Sequence, residues 1–367
     1  MSGLDRWLAQ REIWVVVLAL ALVVHVTFVV APFDVLQPVD PWALGRAVWH
    51  GLLPYRDFAF EYPPGAVLAF LLPGAVPRSL AHSVLALQAV ACEVGIFALL
   101  ADDPAARRRW VLVATLAFPL LSGGFDALPM LALFWSTALL RRGAGRGWVV
   151  AGIGAAVKLF PGIAWGCFRR RPALGLAVLA LTVAVLLAPL LIAPPGRTFI
   201  GYHLDRGVEQ GSVGASLTFV ANTFRGHDTA VAYRFGANEV AHASWAALFA
   251  AILFGSAAVA VGAVCLARGD RTDPWRATLA LLLLCLCASK VLSPQFIVLA
   301  APLLAVLGGG WFAGGCPLVV LTVGAFTLSD RGDLFMTVVA VRNGLLVVLA
   351  IAAAASVLRG RKPPGPS

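Results

Sequence analysis

Residues 13–31 read IWVVVLALALVVHVTFVVA, an apolar run in which His25 is the only ionisable group. At 1.5 Å per residue such a helix reaches ~28 Å, about the thickness of a bilayer's hydrocarbon core. Arg6 and Arg11 precede it, the run exceeds a signal-peptide core and no small-x-small cleavage site follows, so it is expected to remain as a signal anchor. Further apolar runs lie at 79–101, 110–122, 127–140, 173–193, 242–267, 277–291, 296–307, 311–328 and 335–358. The expected fold class is therefore an all-α polytopic membrane protein with about ten transmembrane helices, forming a single integral membrane domain over residues 1–367.

Composition agrees. The 367 residues are 60% hydrophobic before the 36 glycines are counted, and only 13% are charged, about half the share of a soluble domain. That excludes an ordinary soluble globule and a disordered chain. The net charge of +10 does not indicate a nucleic-acid partner, because the basic residues fall in short clusters between apolar runs: Arg107–Arg109, Arg141 with Arg142 and Arg146, Arg169–Arg171, Arg268 with Arg271 and Arg276, and Arg359 with Arg361 and Lys362. This is the positive-inside pattern. It predicts two cytoplasmic termini, a cytoplasmic tail over 359–367, and long outer loops at 32–62 and 194–241. The six cysteines lie in or beside apolar runs and suggest neither a disulfide framework nor a zinc site.

Two apolar pieces fit crossing helices poorly. Residues 63–77 span only ~22 Å as a helix and contain Pro73-Gly74, while 148–168 has arginines near both ends and Lys158-Leu159-Phe160-Pro161-Gly162 in its middle. Both are expected to be re-entrant or broken helices, which membranes tolerate where protein or a water-filled cavity satisfies the backbone.

The polar residues collect in the outer loops. The first holds Asp34, Asp40, Arg46, His50, Tyr55, Arg56, Asp57, Glu61 and Tyr62; the second holds His203, Asp205, Arg206, Glu209, Arg225, His227, Asp228, Arg234 and Glu239, with Asp126 and the Ser293-Pro294-Gln295 turn at shorter corners. Asp40-Pro41-Trp42 predicts a short helix, with Asp as N-cap, Pro at the first position and Gly51 as the stop. Asp40 thus has two readings, a cap or a catalytic base. Lys158, in an apolar run, needs an anionic ligand or a carboxylate such as Glu93 or Asp126. Arg206 and Glu209 read either as an ion pair holding the second loop or as a phosphate contact and a sugar contact. His25 reads as a hydrogen-bonded interior residue.

Three segments of the first loop, Asp40-Pro41-Trp42, Gly51-Leu52-Leu53-Pro54-Tyr55-Arg56-Asp57-Phe58 and Glu61-Tyr62-Pro63-Pro64-Gly65, together resemble the first outer loop of glycosyltransferase family 87. Gly124-Phe125-Asp126-Ala127-Leu128-Pro129, Ala156-Val157-Lys158-Leu159-Phe160-Pro161, Tyr202-His203-Leu204-Asp205-Arg206-Gly207 with Ser212, and Ser293-Pro294-Gln295-Phe296 continue the resemblance in order. In the long loop the acidic residue, Glu209, stands earlier than in that family's usual pattern.

The resemblance implies a C-type glycosyltransferase fold and a bacterial inner-membrane enzyme that inverts configuration. It would move a sugar, mannose being the first choice, from a polyprenyl-phosphate donor to a lipid or glycan acceptor on the outer face. Asp40 would be the base. The candidate substrate-binding residues are Arg56, Asp57, Glu61, Tyr62, Asp126, Lys158, His203, Arg206 and Glu209, with Arg206, Arg56 and Lys158 meeting the phosphate. No cofactor is required and no metal site is expected, although Asp57 with Glu61 could hold a divalent cation. The expected partners are the donor, the acceptor and membrane lipids, with no nucleic acid. The alternative is a lipid or small-molecule transporter or flippase, in which broken helices and mid-membrane charges also occur.

Overall fold

The computed structural model describes residues 11–31, 40–194, 198–328 and 331–360. Asp34, Asp330, the start of the first outer loop and the end of the tail lie outside them. The described residues divide into two compact units, one within 11–165 and 170–206, the other within 207–360 and 166–169.

The N-terminal unit carries α1 (Arg11–Val30), α2 (Pro41–Trp49), α3 (Val67–Ala75), α4 (Ala81–Leu99), α5 (Pro104–Leu121), α6 (Ala127–Arg141), α7 (Arg146–Val157), α8 (Pro172–Leu187) and α9 (Phe199–Asp205). The C-terminal unit carries α10 (Val213–Phe224), the strands β1 (Val231–Arg234) and β2 (Ala237–Val240), and α11 (Ser244–Arg268), α12 (Pro274–Ala288), α13 (Ala301–Leu307), α14 (Gly309–Thr327) and α15 (Asp333–Leu358).

The described residues are 76% helical. Among the described residues five helices are long and apolar enough to cross a membrane: Arg78–Leu99, Pro172–Ile192, Ser244–Arg268, Gly309–Thr327 and Asp333–Leu358. Shorter apolar helices accompany them, such as Trp14–Val30 and Ala127–Arg141. In the most apolar stretch of Pro172–Ile192 only 17% of the residues are buried. Apolar surface on that scale is stable against lipid tails, not water.

The second long loop is not a plain loop. It folds into α9, α10 and the antiparallel β1–β2 hairpin, in which Val231 faces Val240 and Arg234 faces Ala237, so the chain departs from all-α at this one place among the described residues. Gly236 at φ +70° and Phe235 at φ +49° make the two-residue turn. The sequence reading passed over α10 because its apolar residues are interspersed with Ser216, Thr218, Asn222 and Thr223.

Of the two pieces expected to be re-entrant or broken helices, 148–168 is broken. Helix α7 stops at Val157; Lys158 is extended (φ −159°, ψ 134°), and a 3-10 turn over Phe160–Ile163 follows. Pro161 has no N–H to donate to the Val157 carbonyl four residues back, so the regular helix does not run through it. In the other piece α3 runs through Pro73 to Ala75, so the proline does not interrupt it.

In each unit the basic clusters gather at one end. Arg142 pairs with Asp102 at 3.6 Å, and the Trp148 indole donates to the Arg170 carbonyl at 2.9 Å. In the C-terminal unit Arg268 donates to the carbonyls of Val357 and Leu358 at 2.7 and 2.8 Å.

Candidate active site

The first loop is held by backbone bonds and rings. Tyr55 adopts φ +70°; its N–H donates to the Phe58 carbonyl at 2.8 Å and its buried hydroxyl to the Tyr62 carbonyl at 2.5 Å. Burial raises the Tyr55 pKa above its ordinary value. Tyr55, Phe60, Phe70, Phe125, Val157 and Phe199 then share one buried cluster, against which Leu44 and Tyr62 also pack. The first loop, α2, α3, the start of α6, the end of α7 and α9 are therefore built on a single core.

Asp40 is the N-cap of α2, as the sequence predicts. Its Oδ1 accepts from the Trp42 and Ala43 amides at 3.0 and 3.1 Å, while Oδ2 accepts from Arg78 at 2.7 Å. The two oxygens thus divide their roles, and the Arg78 side chain is 73% exposed against 31% for Asp40. The cation facing Asp40 is Arg78, which the sequence reading did not single out; nothing in sequence links positions 38 residues apart. The Trp42 indole donates to the Val76 carbonyl at 3.0 Å and lies under Arg78 at 5.7 Å.

Helix α2 sits directly on α3 through two glycines. A Cβ on Gly45 would lie 1.9 Å from the Phe70 carbonyl oxygen and 2.8 Å from Gly74 Cα. Gly45→Val is therefore expected to push the helices apart at a cost of ~1–3 kcal/mol. Thermal unfolding in detergent reads this as a lowered Tm, and an unchanged Tm would contradict the packing.

The second element is a buried ion pair. Lys158 Nζ bonds the Asp126 carboxylate, with side-chain exposures of 12% and 3%. Of the two carboxylates considered for Lys158 this is Asp126; Glu93 instead bonds His25 at 2.8 Å, inside the helices, where the His25 ring stacks on Phe118. Lys158 also lies 5.2 Å from the Phe125 ring centroid, and Tyr62 meets Phe125 edge-to-face at 4.9 Å. Loss of water around the Tyr62 hydroxyl, with the Glu61 and Asp126 carboxylates and Tyr202 close by, raises its pKa well above the ordinary phenol value. Tyr62 therefore remains a hydrogen-bond donor at neutral pH, toward Glu61. Arg206 lies 5.8 Å from the Tyr202 ring centroid, and His203, exposed, meets Tyr202 edge-on at 5.6 Å.

Arg56 and Asp57 form a two-pronged pair at 2.8 and 2.9 Å, and Asp57 also accepts the Leu53 amide at 2.8 Å. This shapes the turn. Asp57 is thus already engaged, and among the described residues no three His, Cys, Asp or Glu side chains group as a metal site.

Glu209 belongs to the C-terminal unit. It is buried and accepts the Ser293 hydroxyl at 3.0 Å, while its N–H donates to the Lys290 carbonyl at 2.9 Å. The long loop and the Ser293-Pro294-Gln295 turn are thereby joined. Beside them the fully buried Arg342 of α15 bonds the Gly211 carbonyl and the Asn343 side chain. Asn343 in turn donates to the Gly211 and Ser212 carbonyls at 3.0 Å and to Ser216 at 2.8 Å. Arg342 was visible in the sequence only as a charge in an apolar run. Asn343→Ala is expected to cost ~1–3 kcal/mol, because it removes Oδ1, an acceptor for the buried Arg342 guanidinium, and the amide donor to the buried Ser216 hydroxyl; denaturant unfolding checks it, and a loss under 0.5 kcal/mol would contradict it.

A model of glycosyltransferase family 87 matches residues 60–294, well over half of the chain. The chain belongs to glycosyltransferase family 87. No curated protein and no solved structure matches it. As a family 87 member the protein is a glycosyltransferase, and its apolar helices make it a membrane protein. The match encloses Glu61, Tyr62, Asp126, Lys158, His203, Arg206, Glu209 and Ser293, and leaves Asp40, Arg56, Asp57 and Arg342 outside it.

Proposed function

We propose that this glycosyltransferase takes its sugar, mannose as first choice, from a polyprenyl-phosphate donor and passes it with inversion to a lipid or glycan acceptor at the extracytoplasmic face of a bacterial inner membrane. The observation that carries the reading is the placement of the Asp126–Lys158 pair. Helices α6 and α7 begin and end so that Arg141 and Arg146 stand at one end and Asp126 and Lys158 at the other. Their lengths are only ~22 and ~18 Å. If the arginines lie at the cytoplasmic surface, the pair stops short of the far surface of a ~30 Å core. A charge at that depth suits a lipid phosphate approaching from the bilayer.

Asp40 takes the proton from the acceptor hydroxyl through Oδ2 as the hydroxyl's own oxygen attacks the anomeric carbon opposite the phosphate and the bond from that carbon to the phosphate oxygen breaks. One carboxylate suffices for this direct displacement, whereas a retaining glycosidase needs a second as nucleophile. Negative charge grows on the departing phosphate, and Lys158, Arg206 and Arg78 are the cations assigned to it. Tyr62 donates a hydrogen bond within the same site, and Glu61 and His203 are assigned to the sugars. The isoprenoid is assigned to the Lys158–Gly162 break. The step needs no cofactor.

Purified protein incubated with polyprenyl-phosphate mannose and membrane lipid extract is expected to release the lipid phosphate. A panel of polyprenyl-phosphate sugars that yields none would refute the donor class. Transport of intact donor across vesicles without cleavage would instead establish the flippase reading.

A further inference from the structure

The C-terminal unit holds a concavity that the transfer step above does not use. It has a volume of about 560 Å³ and lies between the outer face of α10, the 225–230 turn and the first turn of α11, within the size range of small-ligand sites. Its polar lining includes Thr218, Asn222, Arg225, His227, Asp228 and His242, and its aromatic is Trp245. Trp245 is 81% exposed. His242 holds φ +58°, an uncommon backbone for a non-glycine residue, of the kind that clusters at functional sites.

The frame around these groups is fixed. The Ala241 amide donates to the Ala230 carbonyl at 3.0 Å, closing the base of the hairpin, and the His227 amide donates to the Asn222 carbonyl at 2.9 Å. Asn222 Nδ2 reaches Thr229 Oγ1 at 3.2 Å. The exposed rings and charges are thus mounted on ordered backbone.

We propose that this cleft binds the glycan portion of the acceptor, a reading that rests on the proposed transferase activity and adds the acceptor class to it. A pyranose has an apolar C–H face and a rim of hydroxyls, each both donor and acceptor. An open indole supplies a flat apolar surface with large contact area. Around it stand donors (Arg225), acceptors (Asp228) and groups that are both (Asn222, His227, His242). Arg225 and Asp228 cancel in charge, so the cleft favours a neutral polyhydroxyl ligand over a phosphate.

Position agrees with this. Trp245 is in the first turn of α11 and Arg268 ends it, so the cleft is at the end of a crossing helix opposite its basic cluster. That is headgroup level on the outer side, where a lipid-borne glycan would stand.

The test uses the full chain in nanodiscs on an array of short neutral oligosaccharides. The wild type is expected to bind at least one glycan. Trp245→Ala and Asp228→Ala should each weaken that binding at least tenfold, and Trp245→Phe should keep most of it, which shows the unit still folded. No glycan bound, or binding indifferent to Trp245→Ala, would overturn the proposal. So would a Trp245→Ala defect that appears in anionic-lipid nanodiscs and vanishes in neutral ones, since Trp245 would then be a headgroup anchor. Lipid-phosphate release is measured separately: a chain that releases it yet binds no glycan refutes the cleft alone, and one that binds glycans without release refutes the donor reading alone.

Discussion

Lys158→Met is expected to destabilise the protein by ~3–5 kcal/mol, the range for removing one member of a buried ion pair. The reason is the isolation of what remains. Asp126 is 3% exposed, so without the ammonium its carboxylate faces an apolar cluster with no water to replace the lost partner. The double variant Asp126→Asn/Lys158→Met leaves no uncompensated charge and should recover most of the loss. Thermal unfolding in one detergent, run on both single variants and the double, gives the coupling; additive losses would mean that the two groups do not depend on each other. The proposal for the site adds a second expectation. Transfer should stay at least a hundredfold down in the double variant even though its stability returns, because the cation assigned to the phosphate is gone. Restored transfer in the double variant would reduce Lys158 to a structural role.

Asp40→Asn should reduce transfer ~10²–10⁴-fold, the range for general-base removal, with little change in stability. Asparagine caps a helix about as well as aspartate, so the Trp42 and Ala43 amides keep an acceptor. The ion pair with Arg78 is exposed, and such pairs contribute ~1 kcal/mol or less. What the substitution removes is the ability of Oδ2 to take a proton. Release of lipid phosphate, normalised to folded protein, is the measurement; a variant with full turnover would make Asp40 a cap and nothing more. Asp40→Ala separates the roles from the other side, since it should add the loss of the cap, ~1 kcal/mol, to the loss of turnover.

The membrane class, the helical content and the family were legible in the sequence because each depends on local composition. Apolar length sets what can cross, arginine clusters mark one end, and the ordered motifs from Glu61 to Ser293 carry the family. The α2 helix was equally legible: Asp40 and Pro41 act within one turn of backbone. So was a break within Lys158–Gly162, since Pro161 removes an N–H whatever surrounds it.

What the sequence left open was which partner each charge takes. Lys158 could have met Glu93 or Asp126, and only the antiparallel return of α7 along α6 brings it to Asp126, 32 residues away. Arg78 faces Asp40 because Gly45 and Gly74 let α2 lie on α3. Glu209 bonds Ser293 across 84 residues, and Arg342 reaches Gly211 across 131. Such pairings follow from long-range packing, in which the partner is chosen by the fold's geometry and the cost of leaving a buried charge alone, and neither is written in the neighbouring residues.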